Sequence, residues 1–406
     1  MEKNLWPRNE ADLCIRCAAC MAICPVSRVT PLFPGPKQAG PGAQRFRRPD
    51  EPSLDPWIDL CIGCQLCDMV CAAGVPISEL NLIAKAKYLD EKGRPLRDWL
   101  LTHTHLFGSL GSMLSPIVNF LLKNKAFRWL LDVTLQIDRR RALPTYESPT
   151  FRQWFRQHRS QGEKKVAYFY GCFTNANEVD VGKATVEVLE ANGFEVVLPR
   201  QQCCGIPMLG IGNFRGAQEI GAKNVPPLLE AVRSGMEVVF SSTSCGHMIR
   251  HEYDHLLHLE GAREVSSHLF DVMEFLRNLY ESGGLRSPFQ RTPLKVAYFA
   301  PCHLKSLGIG FPALHVLRLV PGLSVENVEA HCCGLGGTFG FKKEKYDISQ
   351  EIGQDLARAI SAIKPDMVLS ECEGCRMQIR HLTGLRTLHP IQLLRDALLR
   401  EKKATG

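Results

Sequence analysis

The chain has 406 residues, an apolar fraction of 45%, a charged fraction of 22% and a formal net charge of +7. This length allows two or three domains, and the composition is that of an ordinary globular protein. The modest positive charge, without Lys/Arg runs interleaved with aromatic residues, argues against nucleic acid as a partner.

The N-terminal residues lack the apolar run of a secretory signal peptide, so we expect a protein that is not exported. The chain nevertheless carries 17 cysteines. In a reducing compartment, thiolates serve mainly as metal ligands and rarely form disulfides. We therefore expect the cysteines to bind metal.

Two runs of cysteines near the N-terminus share the spacing C-x2-C-x2-C-x3-C. In two-cluster ferredoxins, three cysteines of such a run hold one iron–sulfur cube and the fourth binds the cube of the other run. The predicted ligands of the first [4Fe–4S] cluster are Cys14, Cys17, Cys20 and Cys71, and those of the second are Cys24, Cys61, Cys64 and Cys67. A zinc site would use two pairs of ligands, and a disulfide framework would use an even number of cysteines.

Residues 1–95 form the predicted ferredoxin-like domain, and a segment rich in Pro and Gly separates its cysteine runs. This composition predicts an ordered loop without helix or strand over residues 24–42. The residues that give the segment positive charge are Lys37, Arg45, Arg47 and Arg48. A solvated loop and a docking surface for a partner subunit fit this charge equally well.

Residues 96–160 contain no cysteine and show the apolar repeat of amphipathic helices. Trp129 and basic residues flank the apolar face, which is typical of helices at a membrane interface. A connector that packs on its neighbours has the same pattern, so the residues leave both interpretations open. The segment from Trp99 to Leu122 is too polar, and too interrupted by Gly and Pro, for a membrane-spanning helix.

An internal repeat occupies the rest of the chain. Its landmarks are Val166–Cys172, which recurs as Val296–Cys302, Cys203-Cys204-Gly205, which recurs as Cys332-Cys333-Gly334, and a strand-like run ending at Cys245, which recurs at Cys372. Recurrence after roughly 130 residues predicts a duplication with units 161–290 and 291–406.

Short β-branched runs in these units alternate with helical patterns at 178–192, 214–234 and 344–362. This alternation predicts α/β units with mostly parallel sheets. The predicted fold is thus α/β with an α+β N-terminal part: a two-cluster ferredoxin-like domain, a helical connector, and two duplicated cysteine-rich α/β units.

The second unit contributes five cysteines, which we expect at one edge of its sheet because ligand sites lie at the C-terminal ends of parallel strands. They are Cys302, Cys332, Cys333, Cys372 and Cys375. Adjacent cysteines both reach one cluster more easily than they form a disulfide with each other. Because a cube needs four thiolates, five allow an unusual cluster with a bridging thiolate.

The first unit has four of these cysteines: Cys172, Cys203, Cys204 and Cys245. Aligned on Cys245, Met248 stands where the equivalent of Cys375 is expected, and His247 is offset by one residue. Thioether is a weak ligand that suits soft metals. A cluster, a zinc ion and a purely structural site all remain open for this unit.

His303 and His331 flank the cysteines of the second unit, where an imidazole could tune a cluster or deliver a proton. A half-buried histidine bonded to backbone is the simpler alternative. The Gly-rich stretch 334–340 follows a cysteine pair and not a strand, so it does not predict a nucleotide site. Since no flavin motif occurs either, we expect any flavin to lie on another chain.

Together these features resemble the iron–sulfur electron-transfer subunits of membrane-associated flavin dehydrogenases. That group includes the glycolate and lactate oxidase subunits and is similar to the B subunit of heterodisulfide reductase. Several stretches more narrowly resemble the family of iron–sulfur C subunits of anaerobic glycerol-3-phosphate dehydrogenases: Cys24–Val29, Gly35–Pro41, Ser115–Asn119, Phe151–Trp154 and Gly337–Glu344.

The resemblance implies an FAD-containing catalytic partner, a second flavoprotein subunit, and electron transfer to a quinone of the menaquinone type at the cytoplasmic face of the inner membrane. It implies a noncubane [4Fe–4S] cluster on the five cysteines of the second unit and favours membrane contact by residues 96–160. Alternatives are the same relay in a lactate or glycolate oxidase complex, a disulfide-cleaving subunit of heterodisulfide type, and a zinc scaffold without redox function.

Overall fold

The computed structural model describes residues 9–286 and 288–399. The cysteine runs at the N-terminus are held by short helices α1 (Ala19–Ile23) and α2 (Leu66–Met69), and the longer α3 (Ile77–Lys92) follows. Turns of 3-10 helix occur at Asn9–Leu13 and Ile58–Leu60, and a π-helical turn occurs at Gln38–Gly42.

The α+β character expected for the N-terminal part is wrong, because the described residues before Lys164 contain no strand. Prolines in the segment between the cysteine runs cannot donate to a strand ladder. The cysteine runs themselves turn through left-handed residues, which a strand does not accommodate. The segment expected to lack helix also contains the turn at Gln38–Gly42.

The positive charge of that segment is partly internal. Arg47 is buried, and its Nε donates to Asp55 Oδ2 at 2.7 Å while one terminal nitrogen donates to Gln44 Oε1 at 3.1 Å. Arg45 and Arg48 are exposed. Arg47 therefore stabilises the segment itself, whereas Arg45, Arg48 and the partly exposed Lys37 are available to solvent or a partner.

The helical prediction for the connector is confirmed. Its helices are α4 (Leu96–Thr102), α5 (Thr104–Met113), α6 (Ser115–Lys123), α7 (Lys125–Leu135) and α8 (Phe151–Gln157). Asn124 caps α7, because its Oδ1 accepts from Ala126 N at 2.9 Å and from Phe127 N at 3.1 Å. Helices α5 and α6 meet at a bend of 110°.

Each repeat then forms a four-stranded parallel sheet. The strands of the first are β1 (Lys164–Phe169), β2 (Phe194–Val197), β3 (Glu237–Phe240) and β4 (Leu269–Asp271), in the order β2-β1-β3-β4. Those of the second are β5 (Lys295–Tyr298), β6 (Ser324–Asn327), β7 (Met367–Leu369) and β8 (Thr387–Leu388), in the order β6-β5-β7-β8. The identical order confirms the predicted duplication of parallel α/β units.

Helices cover both sheets. In the first repeat they are α9 (Gly171–Ala176), α10 (Val179–Ala191), α11 (Ile206–Gly210), α12 (Phe214–Arg233), α13 (Thr243–His247), α14 (Tyr253–His255), α15 (Ala262–Ser267) and α16 (Val272–Glu281), with a π-helical turn at Met248–Glu252. In the second they are α17 (Cys302–Ser306), α18 (Pro312–Leu317), α19 (Tyr346–Ile363), α20 (Glu373–Thr383) and α21 (Pro390–Leu399), with 3-10 turns at Phe339–Phe341 and Lys343–Lys345. Helices α10, α12 and α19 match the three predicted segments within about two residues.

One apolar core joins the two repeats. It contains Phe169 and Val238 from the first sheet, Tyr298 and Leu369 from the second, and Leu82 from α3. Removal of this apolar surface from water is the main force that holds the repeats together. The boundaries at 95/96, 160/161 and 290/291 stay predictions.

The ferredoxin-like part packs on the second repeat. Phe33 and Ile58 share an apolar cluster with Cys332 and Ile352. Lys345 is buried beside them, and its Nζ donates to the Asp59 carbonyl at 2.8 Å. This packing brings one cysteine run against the edge of the second sheet.

Candidate metal centres

The first N-terminal cavity gathers cysteines from both runs. Cys14, Cys17, Cys20 and Cys71 line it together. Apolar side chains such as Ile15 and Ile77 form much of the remaining wall. These cysteines are the ones that the spacing predicts for the first cluster, and cluster binding itself stays a prediction.

The second cavity shows the reciprocal grouping. Its cysteines are Cys24, Cys61, Cys64 and Cys67, so three belong to one run and the fourth to the other. Burial, followed by the nearby Cys302 and Cys332, raises the pKa of the Cys64 thiol well above its usual value. Cys64 therefore lies near the cysteines of the second repeat.

Both runs adopt one backbone conformation. Arg16 and Ala18 are left-handed in the first run, and Gly63 and Gln65 are left-handed at the equivalent places in the second. Left-handed residues reverse the chain locally. The reversals turn the three thiols of each run toward the same cavity.

The cysteines of the second repeat meet at the C-terminal edge of its sheet. Cys302 begins α17 and Cys372 is the N-cap of α20, while Cys375 lies in the first turn of that helix. Cys375 Sγ donates to Cys333 Sγ at 3.2 Å. Hydrogen bonds from Cys332 and Cys375 lower the pKa of the Cys333 thiol to about 6, which favours its thiolate form.

Gly334 allows the cysteine pair to turn into the site. Its φ is +87°, and a Cβ at this position would lie 2.3 Å from the Ser349 carbonyl oxygen. Only glycine fits this combination of conformation and space. The Gly334 amide donates to Cys332 Sγ at 3.3 Å, which helps to orient that thiol.

The first repeat gathers its four cysteines at the equivalent edge. Cys172 Sγ donates to Cys203 Sγ at 3.8 Å. Hydrogen bonding with Cys172, then Cys204, and the nearby ring of His105 lower the pKa of the Cys203 thiol well below its usual value. Cys204 in turn hydrogen-bonds with Cys245. All four predicted cysteines are therefore neighbours.

The expectation that Met248 replaces Cys375 is wrong. Tyr168 Oη hydrogen-bonds with Ser241 Oγ at 2.6 Å, and Tyr298 Oη donates to Glu371 Oε1 at 2.6 Å, each across 73 residues. Ser241 and Glu371 are therefore equivalent positions of the two repeats, and the residues after them correspond one by one.

In this register Ser242 corresponds to Cys372, and Cys245 corresponds to Cys375. Ser242 and Cys372 are both helix N-caps, of α13 and α20. Met248 is fully buried in the apolar core. The first repeat therefore lacks the thiolate that Cys372 provides, and a serine stands in its place.

The two repeats face each other at these edges. Ser244 Oγ lies 3.8 Å from Cys372 Sγ. Ser242 Oγ lies 3.0 and 3.1 Å from the two carboxyl oxygens of Glu373. Hydrogen bonding with Cys203 and burial raise the pKa of the Cys172 thiol well above its usual value, and the nearby Glu373 adds to this rise. The cysteine sites are thus direct neighbours.

The histidines singled out from the sequence occupy different settings. His303 stacks on His247 with ring centroids 5.0 Å apart, and its ring nitrogens lie 3.1 Å from Ser244 Oγ and 3.4 Å from the Gly63 carbonyl. Burial lowers the pKa of His303 to about 3, so the ring is neutral. His303 joins both repeats to the ferredoxin-like part, which fits a positioning role.

His331 is exposed and lines an open cavity of about 600 Å³ beside Cys332. Arg28, Lys305 and Asp355 contribute charged groups to the same cavity. His247 does not approach the cysteines as a ligand, since its Nε2 lies 3.1 Å from Glu252 and its Nδ1 lies 3.1 Å from Ser306 Oγ.

No sequence pattern connects residues 96–160 with the first repeat, yet α5 supplies two neighbours of its cysteines. Thr104 Oγ1 lies 4.0 Å from Cys172 Sγ, across 68 residues of chain. The ring of His105 approaches Cys203 closely enough to lower the pKa of that thiol. Because these contacts are long-range, local patterns do not mark them.

The donor sets fit iron–sulfur clusters. Across residues 9–286 and 288–399, no three His, Cys, Asp or Glu side chains lie close enough to share a single metal ion. A [4Fe–4S] core binds its thiolates through different irons, so its ligands need not meet at one point. Each N-terminal cavity brings four thiols together and much of its wall is apolar, as such a core requires.

Comparisons with known proteins agree with this arrangement. A 4Fe-4S dicluster domain model matches residues 10–75, and a cysteine-rich domain model, CCG, matches residues 166–250 and 296–380. The C subunit of anaerobic glycerol-3-phosphate dehydrogenase from Escherichia coli K12 is 40% identical over 95% of this chain and 98% of its own length.

More distant relatives share parts of the pattern. An iron–sulfur protein of Methanocaldococcus jannaschii is 26% identical over 93% of this chain and 69% of its own. Lactate utilization protein A of Bacillus licheniformis is 29% identical over 57% of this chain and 97% of its own. A solved structure of an aspartate racemase homologue from Pyrococcus horikoshii OT3 covers 59% of this chain and 99% of its own at 12% identity, with a TM-score of 0.26, which is too low to indicate a shared fold.

Proposed function

The chain belongs to the family of C subunits of anaerobic glycerol-3-phosphate dehydrogenases, and from this membership we propose that it is the iron–sulfur electron-transfer subunit of such a dehydrogenase. It would receive electrons from the FAD of a catalytic partner, which a second flavoprotein accompanies. It would deliver them to a quinone, of the menaquinone type, in the membrane. The two [4Fe–4S] clusters and the cluster of the second repeat would provide the one-electron steps between these ends.

The observation that carries this proposal is the order in which the cysteine sites lie next to one another. Cys20 and Cys67, one from each N-terminal cavity, belong to one buried cluster of side chains. Cys64 of the second cavity lies near Cys302 and Cys332. A continuous series of thiol-lined sites is what a relay needs, because it keeps each transfer short.

The reaction balances through the partners. Oxidation of the secondary alcohol of glycerol 3-phosphate to a ketone releases two electrons and two protons. A quinone takes up two electrons and two protons when it becomes a quinol. This chain's residues would hold the electron carriers, shield them from water and set their potentials through hydrogen bonds to sulfur, such as Gly334 N to Cys332.

A peripheral membrane location at the cytoplasmic face is part of the proposal. The connector helices expose large apolar side chains: Trp99, Leu106, Leu110, Met113, Leu114, Ile117, Phe120, Leu121, Trp129, Leu130 and Val133. A patch of this kind rarely stays in water. Among the described residues no single helix meets the length and hydropathy needed to span a membrane, and only α5 and α6 taken together do, across their 110° bend.

A second candidate has one observation in its favour. The open cavity of about 600 Å³ beside Cys332 carries both basic and acidic side chains on its wall, namely Arg28, Lys305, His331, Glu329 and Asp355. A small disulfide could bind there next to the sulfur-rich site, as a disulfide-cleaving protein requires. The closer family match favours the dehydrogenase.

The test uses the chain co-expressed with its two flavoprotein partners and purified without oxygen. Addition of glycerol 3-phosphate should bleach the visible iron–sulfur absorbance and produce reduced-cluster EPR signals, and a menaquinone analogue should restore the oxidised state. Lactate and glycolate serve as substrate controls, and a heterodisulfide serves as the acceptor control. Bleaching by lactate or glycolate but not by glycerol 3-phosphate would transfer the relay to another dehydrogenase, and reoxidation by the heterodisulfide alone would favour the second candidate.

A further inference from the structure

Helix α5 joins the first-repeat cysteines to the exposed apolar surface. At its N-terminus Thr104 and His105 approach Cys172 and Cys203. Gly108 faces α9, where a Cβ at this position would make an ordinary van der Waals contact with the Ala176 side chain at 3.4 Å. One side of α5 is therefore packed on the first repeat.

The other side of the same helix is largely open to solvent. Leu106 is 56% exposed, Leu110 is 54% exposed and Met113 is 69% exposed. Helix α6 continues this surface with Ile117 and Phe120, at 61% and 66%. The cysteine site of the first repeat thus lies one helix away from the surface proposed to contact lipid.

His105 has the properties of a ligand at this site. Its Nδ1 is buried and has no hydrogen-bond partner among the described residues, while the ring lies beside the Cys203 thiol. A buried, unpartnered ring nitrogen costs free energy unless something binds it. The first repeat lacks one thiolate because Ser242 occupies the position of Cys372, and His105 is a donor beside Cys203 that comes from outside the repeat.

We propose that His105 is the non-cysteine ligand of a redox cluster held by Cys172, Cys203, Cys204 and Cys245, and that this site passes electrons to the membrane quinone. The inference rests on the proposed function, and it adds one electron carrier to the relay after the cluster of the second repeat. The contact between Ser244 and Cys372 connects the cysteine sites of the first and second repeats.

A histidine ligand would suit the last electron carrier before the quinone. An imidazole in place of a thiolate removes one negative charge from a cluster and raises its reduction potential, as in Rieske centres. A higher potential draws electrons from the all-thiolate sites toward the membrane. Two successive one-electron transfers from this site, with two protons taken from water, convert one quinone to its quinol.

The experiment compares the wild-type complex with His105→Ala, His105→Cys and the control His103→Ala, all with flavoprotein partners and without oxygen. His103 stacks on Trp99, and its ring centroid lies 5.8 Å from that of His105, but it has no contact with the cysteines among its described partners. Pulsed EPR of protein labelled with 15N-histidine reports a nitrogen bound to iron. Iron content, the midpoint potential of the first-repeat signal and the rate of menadione reduction complete the measurements.

We expect a strongly coupled histidine nitrogen in the wild type and in His103→Ala, and its loss in both His105 variants. His105→Cys should keep its iron and show a lower midpoint potential. His105→Ala should reduce menadione at least about tenfold more slowly, while glycerol 3-phosphate still reduces the other clusters at the wild-type rate. If His105→Ala does not accumulate, His105→Gln, which keeps size and polarity, replaces it.

A nitrogen coupling that is absent in the wild type or survives in His105→Ala would overturn the inference. So would zinc in the first-repeat site, since zinc carries no electrons. In either case glycerol 3-phosphate would still reduce the remaining clusters and the proposed function would stand. If glycerol 3-phosphate reduced no cluster in the wild-type complex, the proposed function would itself fail.

Discussion

The two repeats are built alike down to single hydrogen bonds, yet their cysteine sites differ. Each sheet has a buried tyrosine that hydrogen-bonds with a residue just beyond its third strand in chain order, Ser241 in one repeat and Glu371 in the other. Each fourth strand leads into a residue that caps the next helix, because Asp271 Oδ1 accepts from Met273 N at 2.8 Å and His389 Nδ1 accepts from Ile391 N at 3.0 Å. The duplicated scaffold has been kept.

What has changed is the ligand set and its neighbours. Ser242 takes the place of Cys372, and the first repeat meets α5 where the second meets the ferredoxin-like part through Cys64. In our proposal, the C-terminal edge of the sheet receives electrons in the second repeat and releases them to quinone in the first. In this proposal, the position of each duplicated site relative to the rest of the chain decides its role.

The largest effects are expected when the cysteine site of one repeat is removed at a time, which distinguishes the functions of the two sites. Cys333→Ser should remove the second-repeat cluster, lower the iron content by about four per chain and slow quinone reduction on the order of 100-fold or more. The matched change Cys204→Ser should also stop quinone reduction, but glycerol 3-phosphate should still reduce the second-repeat cluster. Freeze-quench EPR of both variants measures this. If Cys204→Ser reduced quinone at the wild-type rate, the first repeat would not be the exit.

The next prediction tests the membrane side of the first repeat. Phe120→Asp should weaken binding to anionic phospholipid vesicles by about 10- to 100-fold, because burial of a phenylalanine contributes roughly 1.5–3 kcal/mol. Phe46→Asp is the matched control, since Phe46 is 69% exposed and Phe120 is 66% exposed, but Phe46 lies in the ferredoxin-like part. Vesicle co-sedimentation gives both affinities. If the two variants weakened vesicle binding equally, the connector helices would not be a specific membrane-binding surface.

The glycines after the cysteine pairs should differ in their tolerance of a side chain. Both have φ near +90°, which costs alanine about 1–2 kcal/mol. At Gly334 a Cβ would also lie 2.3 Å from the Ser349 carbonyl oxygen, whereas at Gly205 its nearest neighbour is 3.3 Å away at the Ala217 backbone. Gly334→Ala should therefore cost about 3 kcal/mol or more and Gly205→Ala about 1–2 kcal/mol in anaerobic thermal unfolding. Equal costs would show that the second site is no more tightly constrained than the first.

The helix caps should respond to pH in opposite directions. Burial raises the pKa of Asp271 to about 7. The nearby Glu274 contributes to this rise and Arg250 opposes it, while Glu371 lies close enough for Asp271 to raise the pKa of Glu371. The folded state holds this proton more tightly than the unfolded state, so the stability from Asp271 is complete below about pH 4 and is lost as the pH rises toward 7. Burial lowers the pKa of His389 well below its usual value, so its contribution rises with pH up to about 6.5.

Asp271→Asn keeps a capping side chain and removes the titration. Relative to the wild type it should gain about 1–3 kcal/mol of unfolding free energy between pH 5 and pH 8. Anaerobic thermal unfolding followed by circular dichroism at both pH values measures the difference. A constant difference between the two pH values would contradict a protonated Asp271 in the folded state.

Much of this comparison could be predicted from the sequence. Fixed cysteine spacing and β-branched runs are local patterns, so helices α10, α12 and α19 and the duplication followed from them. The alignment of Met248 with Cys375 failed because it matched cysteine to cysteine, whereas strand pairing sets the register. The contact between His105 and Cys203 depends on how a separate helix packs on the sheet edge, and no local pattern encodes it.

Iron and acid-labile sulfide per chain, measured on the anaerobically purified complex together with EPR before and after reduction by glycerol 3-phosphate, test the relay most directly. The account predicts about 16 irons, with about eight in the N-terminal cavities and about four in each repeat, and signals that appear on reduction. A count near zero, with no signal even after reconstitution with iron and sulfide, would contradict it.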